Sequence, residues 1–387
     1  MTPMKNSLFA ISVNFFAFLI PILSLSSTGL AFPELVRHGY PNCIACHVSP
    51  SGGGVLTDYG RSLSKELVST WSYENEELVG HGLFGKTPDW LQLGGDLNFI
   101  QLYNDNDTAI QTRNFWMDNE IETAFHWGRF YLDSNLGIQR GPTGTPNLNN
   151  AISSHHYLGY FITDELSVRF GKFYPAYGLN LPNHAAVTRA QLGFDQGDEH
   201  LNIEAAYLGE KWDLFITGLL GKADLEGAAI ESTDPAIDEH GAALSSSLWL
   251  LERFKLGLSF LYGSTDSYHR ILSGFYGILK LSQKFYLLTE WDWQSKDDRL
   301  SHTEARGFVD YNEFGFEAYK GINLYIVQEE AYMDLNSVLT RDDSYGLGFK
   351  FYPRPHFEFQ GEYRKERNMA AFMDYADTAF LMAHYYF

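Results

Sequence analysis

From Leu91 to the end of the chain, apolar and polar residues alternate with a period of two in segments of about ten residues. Phe254, Leu256, Leu258, Phe260 and Tyr262 alternate with Lys255, Gly257, Ser259 and Gly263; Phe130, Leu132, Leu136 and Ile138 with Asp133, Asn135 and Gln139; Phe357, Phe359 and Tyr363 with Glu358, Gln360, Glu362 and Arg364. A period of two places each set on one face of a strand. Sixteen strands are expected, at 91–103, 113–127, 129–140, 155–163, 166–174, 199–208, 212–221, 241–251, 254–264, 271–281, 284–295, 306–319, 322–334, 344–353, 356–366 and 378–387.

One apolar and one polar face suits a half-buried soluble sheet or a membrane barrel, and the connections separate the two. Links after even strands are tight turns, such as Gly128, Asp164-Glu165, Lys320-Gly321 and Arg354-Pro355. Links after odd strands are longer, as in Gly141–Ser154, Pro175–Asp198 and Lys222–His240. Strict alternation of turns and loops is the layout of a sixteen-stranded antiparallel transmembrane β-barrel, an all-β fold with both termini on the periplasmic side. The last strand adds an apolar face, Ala379, Leu381, Ala383, Tyr385 and Phe387, that resembles the terminal signal of chains inserted into the bacterial outer membrane. If Phe387 faces lipid, parity turns Tyr386, His384 and Met382 inward. On the second strand it turns Trp116, Asp118, Glu120, Glu122 and His126 inward and Phe115, Met117, Ile121, Phe125 and Trp127 outward.

The N-terminus follows another pattern. Lys5 precedes an apolar run from Leu8 to about Leu25, then Ser26, Ser27, Thr28, Gly29, Leu30 and Ala31. This is the order of a secretory signal peptide, residues 1–31, with an uncleaved anchor helix as the rival reading. Either way the chain is exported.

Both cysteines of the chain fall in Cys43-Ile44-Ala45-Cys46-His47. In this C-x-x-C-H spacing two thiols on one helical turn join the vinyl groups of one haem c, and the following imidazole ligates its iron. A Cys43–Cys46 disulfide, a redox pair or half of a metal site are the competing readings, and neither a disulfide nor a redox pair requires His47. Ser49-Pro50-Ser51-Gly52-Gly53-Gly54 reads as a flexible loop, and a helix is expected from Arg61 to about Trp71. The haem domain, residues 32–90, is too short to bury a haem alone, so the barrel at 91–387 should receive it as a plug or cap. The distal ligand stays open among His38 and His81 within the short domain and His126, His384 and Met382 from the lumen.

Composition narrows the partners. Against 28 Lys and Arg stand 48 Asp and Glu, a net charge of −20, which excludes a broad nucleic-acid surface. By parity the lumen carries Asp96, Asp118, Glu120, Glu122, Asp133, Glu204, Glu290, Asp292, Glu313, Glu317, Glu358 and Glu362 against Arg169, Lys255, Lys350 and Arg364, an interior that favours cations. Acidic loop residues such as Asp195, Asp198, Glu199 and Glu239 read as solvated surface. No nucleophile elbow, P-loop, dinucleotide fingerprint or zinc-protease motif is present.

An exported chain with one C-x-x-C-H and a following barrel, together with Leu56-Thr57-Asp58-Tyr59-Gly60-Arg61, resembles the fused monohaem cytochrome-porins of the outer membrane of iron-oxidising bacteria. The resemblance implies an electron conduit. An extracellular donor such as ferrous iron would pass electrons through the haem to a periplasmic cytochrome, with lipid around the barrel, and the chain would count as an enzyme in the sense of oxidising iron. A passive porin with a haem appendage and a soluble periplasmic haem protein are the two other readings.

Overall fold

The computed structural model describes residues 43–83, 85–106, 109–139, 151–183, 186–195, 198–222, 238–251, 253–370 and 374–387. Residues 1–31, expected to be a targeting segment, and His38 lie outside the described residues. Seventeen strands form one sheet: β1 (Leu91–Asp105), β2 (Ile110–Trp127), β3 (Phe130–Gln139), β4 (Ala151–Ile152), β5 (His156–Phe161), β6 (Leu166–Phe173), β7 (His200–Leu208), β8 (Trp212–Lys222), β9 (His240–Leu250), β10 (Phe254–Ser264), β11 (Tyr268–Lys280), β12 (Phe285–Asp298), β13 (Thr303–Tyr319), β14 (Ile322–Tyr332), β15 (Arg341–Phe351), β16 (Phe357–Asn368) and β17 (Ala376–Tyr386). β4 and β5 both pair with β3 and act as one interrupted stave. All pairs are antiparallel, and β17 returns to β1 with Asp96 opposite Tyr386 and Asp105 opposite Asp377. The result is a closed barrel of sixteen staves, matching the sixteen expected strands in order and nearly in extent.

Closure leaves no strand edge, so every stave finds backbone partners on both sides, the condition for crossing lipid as β-structure. The period of two then sorts side chains. At the centre of β10, Leu258 is 67% exposed on the outer face and Ser259, its neighbour, only 5% exposed within. His384 and Tyr386 face inward as parity requires: His384 meets Asp96 and Glu358, and Tyr386 Oη lies 2.9 Å from Ser64 Oγ.

Two departures from the sequence reading have physical causes. On β2, parity holds for Glu120 and Glu122, both buried, but fails for Trp116. The β1–β2 register slips between Leu97 and Phe99, where three steps of β2 oppose two of β1. This bulge reverses the faces beyond it. Trp116 therefore packs on outward Phe99, with ring centroids 5.4 Å apart, while Phe115 lies opposite buried Ile100. The alternation of turns and loops is also less strict than expected. Thr265–Ser267 alone joins β10 to β11, and 299–302 joins β12 to β13. Charged Lys296, Asp297 and Asp298 continue the ladder opposite β11 instead of forming a loop.

The lumen is filled from both ends. The described residues of the link between β6 and β7, 174–183, 186–195 and 198–199, fold into the barrel. Its Tyr177, Leu192 and Phe194 join inward Leu219, Leu261, Leu272 and Val309, while Leu179, Leu181 and Ala186 pack on Tyr276, Tyr286, Leu288 and Tyr325. A short helix, α2 (Val187–Ala190), lies within this link. Of its acidic residues, Asp195 and Asp198 are half-buried and Glu199 is buried beneath Tyr174 Oη at 2.9 Å. Glu239, just before β9, is likewise buried on Arg270 at 2.6 Å. From the short-turn end, residues 43–68 enter as a plug.

The two faces predict opposite responses to charge. Leu258→Lys should cost about 2–4 kcal/mol of barrel stability in lipid, and Gln360→Lys on the inward face under about 1 kcal/mol. Urea titration of folding into vesicles, followed by heat-modified gel migration, measures both; equal costs would contradict the assigned faces.

Candidate functional site

The C-x-x-C-H segment opens as a single tight turn, Cys43–Ala45. The Cys43 carbonyl accepts from both Cys46 N at 3.0 Å and His47 N at 2.9 Å. One carbonyl holding two donors winds the three functional side chains onto one turn. The chain then reverses. Val48 N donates to Val55 O at 3.0 Å and His47 pairs with Leu56, with φ of +87°, +76° and +68° at Gly52, Gly53 and Gly54. Three successive left-handed residues explain the glycines. The loop expected to be flexible is tied on both sides: Arg169 donates to Ser49 Oγ at 3.2 Å and Ser51 Oγ at 2.9 Å, and Asn180 of the inserted link donates to Ser51 O at 2.9 Å.

The Leu56–Arg61 stretch is the clasp of this turn. Thr57 N donates to Cys46 O at 2.8 Å and Thr57 Oγ1 to Ala45 O at 3.0 Å, while the same hydroxyl accepts from Gly60 N at 3.1 Å. Thr57 thereby caps α1 (Asp58–Leu63) and ties it to the motif. A Cβ on Gly60 would stand 2.4 Å from the Cys46 carbonyl oxygen, so only glycine lets α1 lie so close. Arg61, buried, donates to the Leu93 carbonyl of β1 and joins the clasp to the wall. The helix expected from Arg61 thus begins at Asp58, where the cap sits, and after Leu63 continues as a wider turn through Val68.

Burial sets the chemistry of the donors. His47 Nδ1 lies 3.3 Å from the Gly54 carbonyl, an acceptor that fixes the ring and its tautomer. Burial holds the His47 pKa below its ordinary value, keeping the imidazole neutral. Burial also raises Cys43, despite nearby Lys255, and raises Cys46 to about 11. Among the described residues, no three His, Cys, Asp or Glu side chains converge as an ion-binding group. One turn with two cysteines and a neutral, backbone-oriented histidine fits covalent haem c: Cys43 and Cys46 would hold it and His47 would ligate its iron.

The motif lies inside the barrel. Val48 and Val55 pack on inward Ala124, Tyr131, Tyr157 and Phe173, and Ile44, between the two cysteines, on Ala206, Leu208 and Phe215. Arg169 holds the tip while bonding buried Glu204 at 2.8 Å and stacking on Phe173 at 3.9 Å. The distal candidates divide. His81 stands on the barrel rim with Nδ1 3.2 Å from Tyr385 Oη and Nε2 3.1 Å from Pro355 O. His384 is held between Asp96 at 2.6 Å and Glu358 at 3.1 Å. Met382 faces the lumen opposite Ile100 and Gln360. His126 stacks against Tyr131, beside the valines that flank the motif, and its buried Nε2 has no hydrogen-bond partner. His155 was not singled out by the sequence. Its Nε2 would lie 3.4 Å from a Cβ on Gly54 and is 3.4 Å from Asp133 Oδ1. Nothing in its local sequence, at a strand start after a long link, marks it.

No family profile and no curated protein matches the sequence. Solved structures do. The outer-membrane protein OmpT of Vibrio cholerae is similar with a TM-score of 0.59 at 10% identity, over 78% of this chain and 99% of its own. OprB of Pseudomonas putida has a TM-score of 0.58 at 11% identity, over 77% of this chain and 94% of its own. The anion-selective porin from Comamonas acidovorans has a TM-score of 0.54 at 10% identity, over 77% and 99%. The likeness is one of fold: a porin-like barrel of the outer-membrane type.

The clasp is testable without any cofactor. Gly60→Ala forces the Cys46 carbonyl away from α1 and should loosen the plug by about 1–3 kcal/mol. Trypsin cleavage at Lys65 of the folded protein should then quicken by roughly five-fold or more. Gly53→Asn should leave the rate unchanged, because a Cβ there meets nothing within 4 Å and Asn tolerates left-handed φ.

Proposed function

We propose that the protein is an outer-membrane electron conduit, passing electrons between an extracellular donor and a periplasmic carrier through one haem c joined to Cys43 and Cys46 and ligated by His47. The observation that carries this reading is the position of the C-x-x-C-H turn inside the barrel, met from the opposite end by the inserted link through Asn180 and Ser51. The short-turn end, where both the plug and Phe387 lie, is then periplasmic, with the loop end facing outward. When bound, haem c supplies a one-electron iron couple. The chain orients His47 through Gly54, encloses the motif with apolar wall residues, and keeps bulk water from the lumen by the two insertions. Of the described histidine candidates, His126 is the favoured distal ligand, because it combines a place beside the motif cluster with a ring nitrogen that has no hydrogen-bond partner. The acidic balance of the whole chain, 48 Asp and Glu against 28 Lys and Arg, favours a cationic donor, ferrous iron first among them, and a periplasmic cytochrome is the acceptor class.

A passive porin is the second reading, favoured by the likeness to an anion-selective porin. It asks for an open lumen, whereas residues 174–199 and 43–68 occupy this one.

Protein expressed with c-type maturation should keep haem on the polypeptide through denaturing electrophoresis, and Cys46→Ala should lower that retention severely. His126→Ala should change the haem absorption spectrum while leaving attachment intact. In proteoliposomes the haem-loaded protein should pass electrons across the membrane with little ion conductance in planar bilayers. Large haem-independent conductance without electron transfer would establish the passive porin instead.

A further inference from the structure

Between the plug and β1, residues 70–90 do not stay within the barrel. They run along its periplasmic rim, where several aromatic residues meet outward-facing rings of the wall, while Glu77 bonds Lys65 of the plug and His81 also packs on buried His356 at 5.5 Å. Thr70 and Trp71 donate from backbone N to Tyr352 O at 2.8 Å and Pro353 O at 3.0 Å, and the Trp71 ring meets outward Phe351 at 6.2 Å. Arg354 reaches over the Tyr73 ring at 4.2 Å and pairs with Glu76. The His81 ring stacks on Tyr385 at 5.5 Å and packs on Phe357 at 5.4 Å, two outward residues opposite each other on β17 and β16. Trp90 stacks on outward Phe125 at 6.3 Å before the chain enters β1.

The surface this segment presents is apolar where it leaves the rim. Leu83 is 87% exposed, Trp71 60% and Trp90 54%, and Tyr73 is exposed beside them. Glu76 and Glu77, the carboxylates against the rim, are paired with Arg354 and Lys65. Glu74, Lys86 and Asp89 stay exposed on the same segment. An apolar and aromatic set interspersed with charge, continuous with the outer aromatic residues of the barrel, has the composition of a membrane-interface belt. We infer that residues 70–90 form a collar lying in the periplasmic headgroup boundary of the outer membrane, with Trp71, Leu83 and Trp90 in contact with phospholipid.

The inference rests on the membrane part of the proposed function and adds a second lipid contact beyond the barrel wall. Its occupant is lipid and not a soluble partner because the same aromatic surface runs without a break onto Phe125, Phe351, Phe357 and Tyr385 of the wall.

Spin labels at Trp71→Cys, Leu83→Cys, Glu74→Cys and Leu258→Cys, on the otherwise intact protein in vesicles of phosphatidylethanolamine and phosphatidylglycerol, test it by power saturation. The unsubstituted chain labelled in parallel gives the background from Cys43 and Cys46. Positions 71 and 83 should collide with oxygen roughly three-fold or more in excess of a water-soluble nickel chelate, as position 258 does, with position 74 reversed. If 258 reads as lipid while 71 and 83 read as 74 does, the collar is in water and the inference fails alone. If 258 itself reads as water, the membrane reading falls and the collar with it. Protection of 71 and 83 from both reagents means that protein covers them, which also overturns the inference.

Discussion

A sheet that crosses lipid must pair every backbone group within itself, and the rest of this molecule follows from that demand. Sixteen staves close through β1 and β17, so the period of two has a fixed meaning along each strand: one face for lipid, the other for whatever fills the lumen. A barrel of this size encloses more volume than its own inward side chains occupy. The chain meets this with two insertions, one from each end. The four buried apolar clusters nearly all combine wall residues with plug or link residues, so packing inside the barrel is tertiary rather than local.

Charge burial imposes the next constraint. Inward carboxylates removed from bulk water need partners, and the structure supplies them as short local networks. Arg169 bonds Glu204 and also the two serines of the plug tip; Lys255 bonds Asp213 at 2.7 Å beside Cys43; Tyr157, Tyr286, Tyr311 and Tyr325 donate hydroxyls to Asp133, Glu313 and Glu362. An interior that looks strongly acidic when carboxylates are counted along the strands is, side chain by side chain, largely compensated. The plug is held by the same currency as the wall, through hydrogen bonds from a buried guanidinium and apolar contact with tyrosine and phenylalanine rings.

The staves were legible because a half-buried strand writes its environment into every second residue. Glu120, Glu122, His384 and Tyr386 could be assigned to the lumen on that rule alone. Trp116 could not, since the bulge beside it arises from pairing with β1 and leaves no local mark. That Cys43, Cys46 and His47 share one turn was legible from their spacing. Its support was not: Gly60 and Thr57 act on the Cys46 and Ala45 carbonyls across a reversal that the sequence shows only as a run of glycines. The link at 174–199 reads as an external loop by length, yet Tyr177, Leu179, Leu181, Leu192 and Phe194 are more apolar than an external loop requires. That excess was the available sign of an inward fold.

The enclosure of Cys43 and Cys46 dictates an order of assembly. The two thiols lie within the ring, roofed on one side by α1 and on the other by the inserted link, and the last seam of the ring joins the first strand after the plug to the last strand of the chain. Cys46 is buried and Cys43 half-buried, so little of either thiol faces solvent once that seam is shut. Whatever is joined to these cysteines must be joined to an open chain, before β17 meets β1. On the proposed function, haem attachment to the N-terminal segment comes first in time, and insertion of the barrel then closes the wall around it.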